Sequence, residues 1–132
     1  MPKRIALLSI TFMTIDTLVK MLWPLMTGNF LFNFRVTHKA LKASKLNDIK
    51  TEAIKYDVIG IDEGQFFEDI VEFAEELANR GIVVIIAALD STFQRKPFGN
   101  IINLVPLAEK VYKLTAVCVY CTEPAAFTQR TV

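Results

Sequence analysis

The sequence predicts an α/β fold built on a parallel sheet, and three features lead to this prediction. A short apolar run, Val58–Ile61, precedes an amphipathic segment over 66–80, and a second apolar run follows over 82–89. Continuous apolar runs are typical of strands that are covered on both faces. A strand, a helix and a strand within about thirty residues form a right-handed βαβ unit with parallel strands. A chain of 132 residues is long enough for one such domain.

The first 36 residues differ in composition from the rest of the chain. The interior of this segment is apolar and carries only two charges, Asp16 and Lys20. Its charge-free runs are shorter than the roughly 18 residues that a membrane-spanning helix needs, and no A-x-A-like cleavage site follows. We therefore expect a divergent apolar N-terminal segment (1–36), a partial α/β domain (37–132) and no membrane anchor. A membrane-associated protein built on the apolar segment is the alternative.

The amphipathic segment over 66–80 is predicted to be a helix, because its apolar residues recur at helical spacing and its acids occupy the other faces. Gly81 can stop this helix at its C-terminal end. The apolar stripe consists of Phe66, Ile70, Phe73, Ala74 and Leu77. Periodicity alone therefore assigns Phe66 to the core.

Four further elements are predicted along the chain. One or two short helices are expected over 39–55, where apolar residues follow a loose helical spacing. A polar loop over 90–100 separates the βαβ unit from 101–109, which forms a helix or two short pieces. A third strand is expected over 111–117 and would deliver the two cysteines of the chain at its end.

Two adjacent acids, Asp62 and Glu63, directly follow the first strand of the βαβ unit. Ligands of parallel sheets bind at the carboxyl ends of the strands, where Asp90 and the cysteine pair are also expected. An apolar strand that ends in Asp-Glu has the arrangement of a Walker B motif. The first carboxylate can hold Mg²⁺ and the second can act as a base. The alternative is a pair of acids that merely caps the next helix.

The spacing Cys118-x-x-Cys121 can supply half of a tetrahedral zinc site. A structural zinc ion needs four ligands, and the chain offers only these two cysteines and one histidine, His38, which we expect at the surface. A buried thiol pair or a redox dithiol is the alternative. So few cysteines exclude a disulfide framework and indicate a reducing compartment.

Aromatic and basic side chains alternate in the loop over 90–100. Phe93 and Phe98, with Phe66, can sandwich a nucleobase, while Arg95 and Lys96 can meet phosphate. The alternatives are a core role for Phe66 and a solvated turn for the basic pair. The net charge of +1 gives no reason to expect a nucleic-acid partner. No G-x-x-x-x-G-K-[ST] phosphate loop occurs in the 132 residues.

These motifs resemble the type II, cytosolic-type thymidine kinases. The stretches that carry the resemblance lie between residues 56 and 130, with a weaker continuation upstream over 37–48. They are VIGIDEGQFF (58–67), DIVEF (69–73), AALD (87–90), TFQRKPFG (92–99), NLVPLAE (103–109) and KLTAVC (113–118). The resemblance implies a P-loop-kinase-like (RecA-like) core and ATP-dependent phosphoryl transfer to the 5′-hydroxyl of thymidine, in DNA precursor salvage.

The resemblance also implies roles for individual residues. Asp62 matches the acid that faces Mg²⁺, and Glu63 matches the general base on the 5′-hydroxyl. The positions that match the nucleoside pocket are Phe66, Leu89, Phe93 and Phe98. Cys118 and Cys121 match the first pair of structural zinc ligands. A homotetramer in the cytoplasm, with thymidine and ATP as partners, is what the intact family implies.

The chain departs from this family at both ends. Residues 1–36 do not resemble the family's N-terminus with its phosphate loop, so the core is expected to be incomplete there. The chain also stops at Val132, before the family's second cysteine pair and its lasso loop. We therefore expect a truncated or mis-assembled family member with little or no kinase activity. The alternative is a non-catalytic remnant that acts as an interaction or regulatory protein.

Overall fold

The computed structural model describes residues 5–9 and 41–131 and confirms the α/β class. Expectations for the apolar segment beyond Ser9 and for His38 fall outside these residues. The elements are β1 (Ile5–Ser9), a 3₁₀ helix (Leu46–Ile49), α1 (Lys50–Ala53), β2 (Val58–Ile61), a 3₁₀ turn (Gly64–Phe66), α2 (Ile70–Asn79), β3 (Val83–Ala88), a 3₁₀ helix (Ile101–Leu107), β4 (Lys110–Lys113), β5 (Ala116–Val117) and β6 (Pro124–Ala125). Within the described part of the chain, no helix is long and apolar enough to cross a membrane.

Four of the strands form one parallel sheet in the order β2-β3-β1-β4. The β2–β3 pairing confirms the predicted βαβ unit. Strand β1 was not predicted, yet it lies between β3 and β4, with Ser9 opposite Ala88 on one side and Lys113 on the other. Since all four strands run parallel, their carboxyl ends meet at one edge, which we call the carboxyl edge.

Helix α2 supplies much of the core through the predicted apolar stripe. Its buried residues are Ile70, Phe73, Ala74, Leu77 and Ala78, which belong to one cluster with Ile61, Val84 and Ile86 of the sheet. Gly81 follows the helix with φ of 87°, as expected for a C-terminal stop. The stripe therefore faces the sheet from Ile70 onward.

The assignment of Phe66 to this stripe is wrong. Phe66 lies in the 3₁₀ turn and its side chain is 65% exposed. Phe67 is extended, with φ of −98° and ψ of 116°, so the helix cannot run continuously from Phe66 to Ile70. The break changes the phase of the helix, and Phe66 points away from the core.

The predicted short helices are confirmed by the 3₁₀ helix Leu46–Ile49 and by α1. Asp69 tethers them to α2, because its carboxylate accepts the backbone N–H groups of Leu46 at 3.3 Å and Asn47 at 2.9 Å. These donors begin a helix and lack a partner inside it. Lys50 Nζ also pairs with Glu76 Oε2 at 2.5 Å.

The predicted third strand over 111–117 is instead two strands in different sheets. Strand β4 joins the parallel sheet, while β5 pairs antiparallel with β6 in a separate hairpin. The hairpin turn satisfies its own backbone groups: Cys118 N–H donates to Glu123 O and Thr122 N–H donates to Cys118 O, both at 2.9 Å. The cysteine pair therefore follows a strand, as predicted, but that strand is β5 of the hairpin and not a strand of the parallel sheet.

The segment between β3 and β4 forms the predicted polar loop followed by a helix. An isolated bridge between Ser91 and Pro97 closes the loop. The helix Ile101–Leu107 is of 3₁₀ type throughout and contains Pro106. It buries Ile101 and Leu104, which join the core beside α2. The loop is thereby anchored at both of its ends.

Candidate functional site

The two acids after β2 lie in a tight turn at the carboxyl edge. Asp62 is half-buried and Glu63 is exposed. Glu63 adopts the left-handed conformation, with φ of 53° and ψ of 39°, which is uncommon for a residue with a side chain. Asp62 Oδ1 accepts the backbone N–H of Glu63 at 3.0 Å. The Glu63 side chain makes no capping hydrogen bond to the 3₁₀ turn, which argues against the simple capping alternative.

A buried amide connects this turn to the end of β3. Gln65 is only 4% exposed. Its Nε2 donates to Glu63 Oε2 at 2.5 Å, and its Oε1 accepts the backbone N–H of Leu89 at 3.0 Å. Sequence reasoning treated Gln65 as part of a turn. The sequence signal for its role is an amide side chain within an otherwise apolar stretch. Such an amide is buried with its neighbours, and a buried amide must find hydrogen-bond partners.

Two glycines allow the backbone to pack closely around this amide. A Cβ on Gly64 would lie 2.9 Å from Ile86 Cγ2, so the turn rests directly on β3. A Cβ on Gly99 would lie 2.3 Å from the carbonyl oxygen of Gln65, and Gly99 has φ of +57°. The polar loop therefore packs against the acid turn at a distance that only glycine permits.

Two of the four predicted pocket residues, Phe66 and Phe98, are in contact. Phe66 and the half-buried Phe98 form an edge-to-face pair with ring centroids 5.5 Å apart. Leu89 is half-buried, and its backbone N–H donates to Oε1 of Gln65, the residue before Phe66. Phe93 is 46% exposed and instead lies under the Arg130 guanidinium, 5.4 Å from its ring centroid.

In a second arginine–aromatic contact, the loop supplies the arginine and the segment after β6 supplies the phenylalanine. The Arg95 guanidinium lies 6.0 Å from the ring centroid of Phe127. The loop and the segment that follows β6 thus each contribute one arginine and one phenylalanine. Cation–π contacts at exposed sites stabilise by about 0.5–1 kcal/mol each. Together the two contacts hold the segment after β6 against the loop.

An ion pair crosses the end of β1 at the same edge. Lys113 Nζ lies 2.9 Å from Asp90 Oδ2. Asp90 follows β3 and Lys113 ends β4, so the pair spans the strand between them, which ends at Ser9. Asp90 was expected at this edge from the sequence, whereas Lys113 was not, because its position depends on the placement of β1.

The two cysteines are adjacent thiols in the turn of the β5–β6 hairpin. Cys118 is half-buried and Cys121 is exposed. The pKa of the Cys118 thiol is lowered, chiefly because the backbone N–H of Cys121 donates to its sulfur, helped by the N–H of Tyr120 and the Cys121 side chain. Over 5–9 and 41–131, no three His, Cys, Asp or Glu residues are grouped to hold a metal ion. The zinc half-site at Cys118 and Cys121 therefore stays a prediction.

Replacing Gln65 with leucine should destabilise the fold by about 1–3 kcal/mol, because the Leu89 N–H would lose its partner in a partly buried place. Urea unfolding followed by circular dichroism measures this loss. Gln94→Leu is the matched control, since Gln94 is exposed in the loop and should change stability by no more than about 0.5 kcal/mol. Equal losses in the two variants would show that the amide has no special structural role.

Comparison with known proteins identifies the family. The family model described as thymidine kinase matches residues 30–132. Human "Thymidine kinase, cytosolic" is 61% identical over 104 residues, which cover 79% of this chain and 44% of the relative. The thymidine kinase of Vaccinia virus (strain Ankara) is 61% identical over 92 residues, covering 70% and 52%. "Thymidine kinase 1" of Dictyostelium discoideum is 58% identical over 105 residues, covering 76% and 46%.

The chain spans about half the length of the curated relatives it matches. The matched region includes the acid turn, the loop over 90–100 and the cysteine hairpin. A family match over most of the chain and identities near 60% agree with the motifs around Asp62 and Glu63. The chain belongs to the thymidine kinase family.

Proposed function

We propose that the carboxyl edge carries the site at which a thymidine kinase transfers the γ-phosphate of ATP to the 5′-hydroxyl of thymidine. The single observation that carries the proposal is the buried amide of Gln65. It donates to Glu63 Oε2 at 2.5 Å and is itself held by the Leu89 N–H at 3.0 Å. A carboxylate that is held in this way has a defined orientation, which a general base requires.

Within this proposal, the two acids have separate roles. Glu63 is exposed and accepts the proton of the 5′-hydroxyl as that oxygen attacks the γ-phosphorus. Asp62 would hold Mg²⁺, because Mg²⁺ prefers oxygen ligands and commonly binds through one or two carboxylates together with substrate phosphates. Its half-buried carboxylate beside Glu63 fits this use. When bound, Mg²⁺ supplies neutralisation of the charge on the phosphates.

The aromatic residues of the same edge are assigned to the nucleoside. Phe66 and Phe98 form an edge-to-face pair next to the acid turn, and Phe66 leaves 65% of its surface open. An open aromatic face can stack on a base. Leu89, whose backbone N–H is bound by Gln65, and Phe93, which lies in the loop under Arg130, are assigned to the same pocket by the family resemblance. These residues place the base while Glu63 faces the hydroxyl.

The hairpin cysteines are assigned to a structural zinc site. Thiolate is the sulfur form that binds zinc, and the lowered pKa of Cys118 favours it. Cys118 and Cys121 together provide half of the ligands that such a site needs. We further assign the parallel sheet to a P-loop-kinase-like (RecA-like) core, and a cytosolic location and homotetramer to the intact protein. Support comes from the resemblance in the motifs and from the relative's name, "Thymidine kinase, cytosolic".

For the 132-residue chain itself, we expect thymidine binding with little or no phosphoryl transfer. The sequence contains no G-x-x-x-x-G-K-[ST] loop. The backbone N–H groups and the lysine of such a loop hold the phosphates of the donor nucleotide. Without these contacts, the donor phosphate is not held opposite Glu63.

One experiment tests these proposals with two readouts on the purified chain. Labelled thymidine is mixed with MgATP, and both bound thymidine and labelled thymidine monophosphate are measured. Replacing Phe66 and Phe98 together with alanine should weaken binding by about tenfold or more, because stacking of a base contributes about 1–3 kcal/mol per base. Tyr56→Ala is the matched control, since Tyr56 is an exposed aromatic residue near the amino end of β2 and should leave binding unchanged.

The outcomes test the thymidine-binding site and the phosphoryl-transfer activity separately. Monophosphate that forms with the unmodified chain but not with Glu63→Gln would contradict the expected inactivity and support Glu63 as the base. Binding that is unaffected by the double phenylalanine variant would remove the pocket assignment. A chain that does not bind thymidine at all would favour the non-catalytic interaction or regulatory protein.

A further inference from the structure

The tip of the loop over 90–100 is a turn closed by its own backbone hydrogen bonds. Thr92 N–H donates to Lys96 O, and Arg95 N–H donates to Thr92 O, both at 2.9 Å. An isolated bridge joins the two arms of the loop below this tip. These bonds shape the backbone of the turn, whereas the rotamer of the Phe93 side chain at the tip is set by other contacts.

Arg95 occupies a backbone conformation at this tip that suits a glycine better. Its φ is 61°, in the left-handed region where residues with a branched or long side chain are uncommon. Glycine adopts this conformation without the steric cost that a Cβ brings. The arginine carries that cost, and its guanidinium lies 6.0 Å from the ring centroid of Phe127. A strained residue of this kind indicates that its side chain has a function.

The segment after β6 returns an arginine to the same loop. The Arg130 guanidinium lies over the Phe93 ring, 5.4 Å from its centroid, while 46% of Phe93 stays exposed. Residues 126–131 contain no helix or strand. We call the Arg95–Phe127 and Arg130–Phe93 pairs the crossed contacts. Because they join the same two segments at two points, they restrict rotation of the segments as well as the distance between them.

We propose that Arg130 is a positioning residue for the base of a pyrimidine nucleoside: it holds the Phe93 ring from one face, and the exposed part of the ring stacks on the base. Arg95 supports this arrangement, because its contact with Phe127 fixes the segment that carries Arg130. The inference rests on the thymidine site proposed above and adds two residues that act on it through the crossed contacts. Since thymidine is uncharged, neither arginine is needed as its counter-ion.

The first part of the test examines the crossed contacts without thymidine, by NMR of the isotope-labelled 132-residue chain. Protons that lie over the face of an aromatic ring resonate upfield, so the side-chain protons of Arg130 and Arg95 should be shifted upfield. Phe93→Leu should abolish the shift at Arg130, and Phe127→Leu should abolish the shift at Arg95. Arg80, which pairs with a carboxylate on α2, is the reference arginine.

The second part measures the dissociation constant of labelled thymidine by equilibrium dialysis. Arg130→Leu should weaken binding by about two- to fivefold, the range that corresponds to one exposed cation–π contact. Arg130→Lys should restore part of this loss, because it keeps a cation for the ring. Arg80→Leu removes an exposed arginine far from the loop and should leave binding unchanged. In a chain that already carries Phe93→Leu, Arg130→Leu should have no further effect, because the residue acts through that ring.

Arg95→Gly removes the contact with Phe127 and leaves a residue that suits the left-handed turn. The loop should therefore keep its backbone, and amide chemical shifts of the loop check this. Thymidine binding should still weaken by about two- to fivefold, because the segment that carries Arg130 has lost one of its two attachments. A variant with an intact loop and unchanged binding would remove Arg95 from the arrangement.

The failure of this inference is distinguishable from the failure of the proposed function. Unshifted arginine protons in a chain that binds thymidine would overturn the positioning role and leave the nucleoside site standing. An equal loss of affinity from Arg130→Leu with and without the Phe93 ring would also overturn it, since Arg130 would then act on the nucleoside directly or on the fold as a whole. A chain that shows the shifts but binds no thymidine would overturn both the nucleoside site and the positioning role.

Discussion

Replacing Phe73 with alanine should lower the free energy of unfolding by about 3–5 kcal/mol, whereas Phe66→Ala should lower it by only about 1 kcal/mol. Phe73 is 1% exposed and packs in the core on α2, so its removal leaves a cavity. Phe66 is 65% exposed and loses mainly its edge-to-face contact with Phe98. The two variants are matched in chemistry and differ in burial.

Urea unfolding followed by circular dichroism measures both changes on the purified chain. Total stabilities of small domains are about 5–15 kcal/mol, so Phe73→Ala can leave the protein largely unfolded even without urea. In that case, the melting temperature of Phe66→Ala, compared with that of the unmodified chain, still measures the smaller loss of stability. Similar losses in the two variants would mean that Phe66 belongs to the core after all, as helical periodicity predicted.

Replacing Gly99 with alanine should destabilise the fold by about 2–5 kcal/mol, against about 1–2 kcal/mol for Gly81→Ala. Both glycines have positive φ, +57° at Gly99 and +87° at Gly81, so both variants pay the conformational cost of a side chain there. Only at Gly99 would the new Cβ meet backbone, 2.3 Å from Gln65 O; at Gly81 no atom lies within 4 Å. The difference between the variants therefore measures the close contact between the loop and the acid turn.

The same pair of variants reports on the site. A shift of the Gln65 backbone moves its amide away from Glu63 Oε2 and Leu89 N–H, so Gly99→Ala should also weaken thymidine binding, while Gly81→Ala should leave it unchanged. Unfolding in urea and labelled-thymidine binding are the two measurements. Equal destabilisation by both variants would show that the loop can move aside at no cost.

Local patterns were enough to predict the βαβ unit. The apolar runs around β2 and β3 and the periodic stripe of α2 depend on residues that are near each other in the chain. The same reasoning failed at Phe66, because one extended residue, Phe67, interrupts the helix and changes its phase. It failed again over 111–117, where a continuous pattern is divided between two sheets. Periodicity does not encode where a strand leaves its sheet.

The candidate site likewise contains residues that local patterns predict and residues whose place depends on contacts between distant segments. Asp62 and Glu63 were placed correctly at the end of a strand, because a strand followed by acids needs no distant partner to be recognised. Gln65 was missed, since its partner Leu89 lies 24 positions further along the chain. Lys113 was missed for a similar reason: its pairing with Asp90 depends on the place of β1 between β3 and β4.

The sequence by itself determined the α/β class, the acids at the strand end, the close spacing of the two cysteines and the family. These properties are carried by short motifs and by the alternation of apolar and polar residues. Only the tertiary structure decided that β1 completes the sheet, that Phe66 opens to solvent beside Phe98, and that Gln65 ties Glu63 to β3. Each of these results depends on contacts between segments far apart in the chain, and packing selects among local conformations that the sequence leaves close in energy.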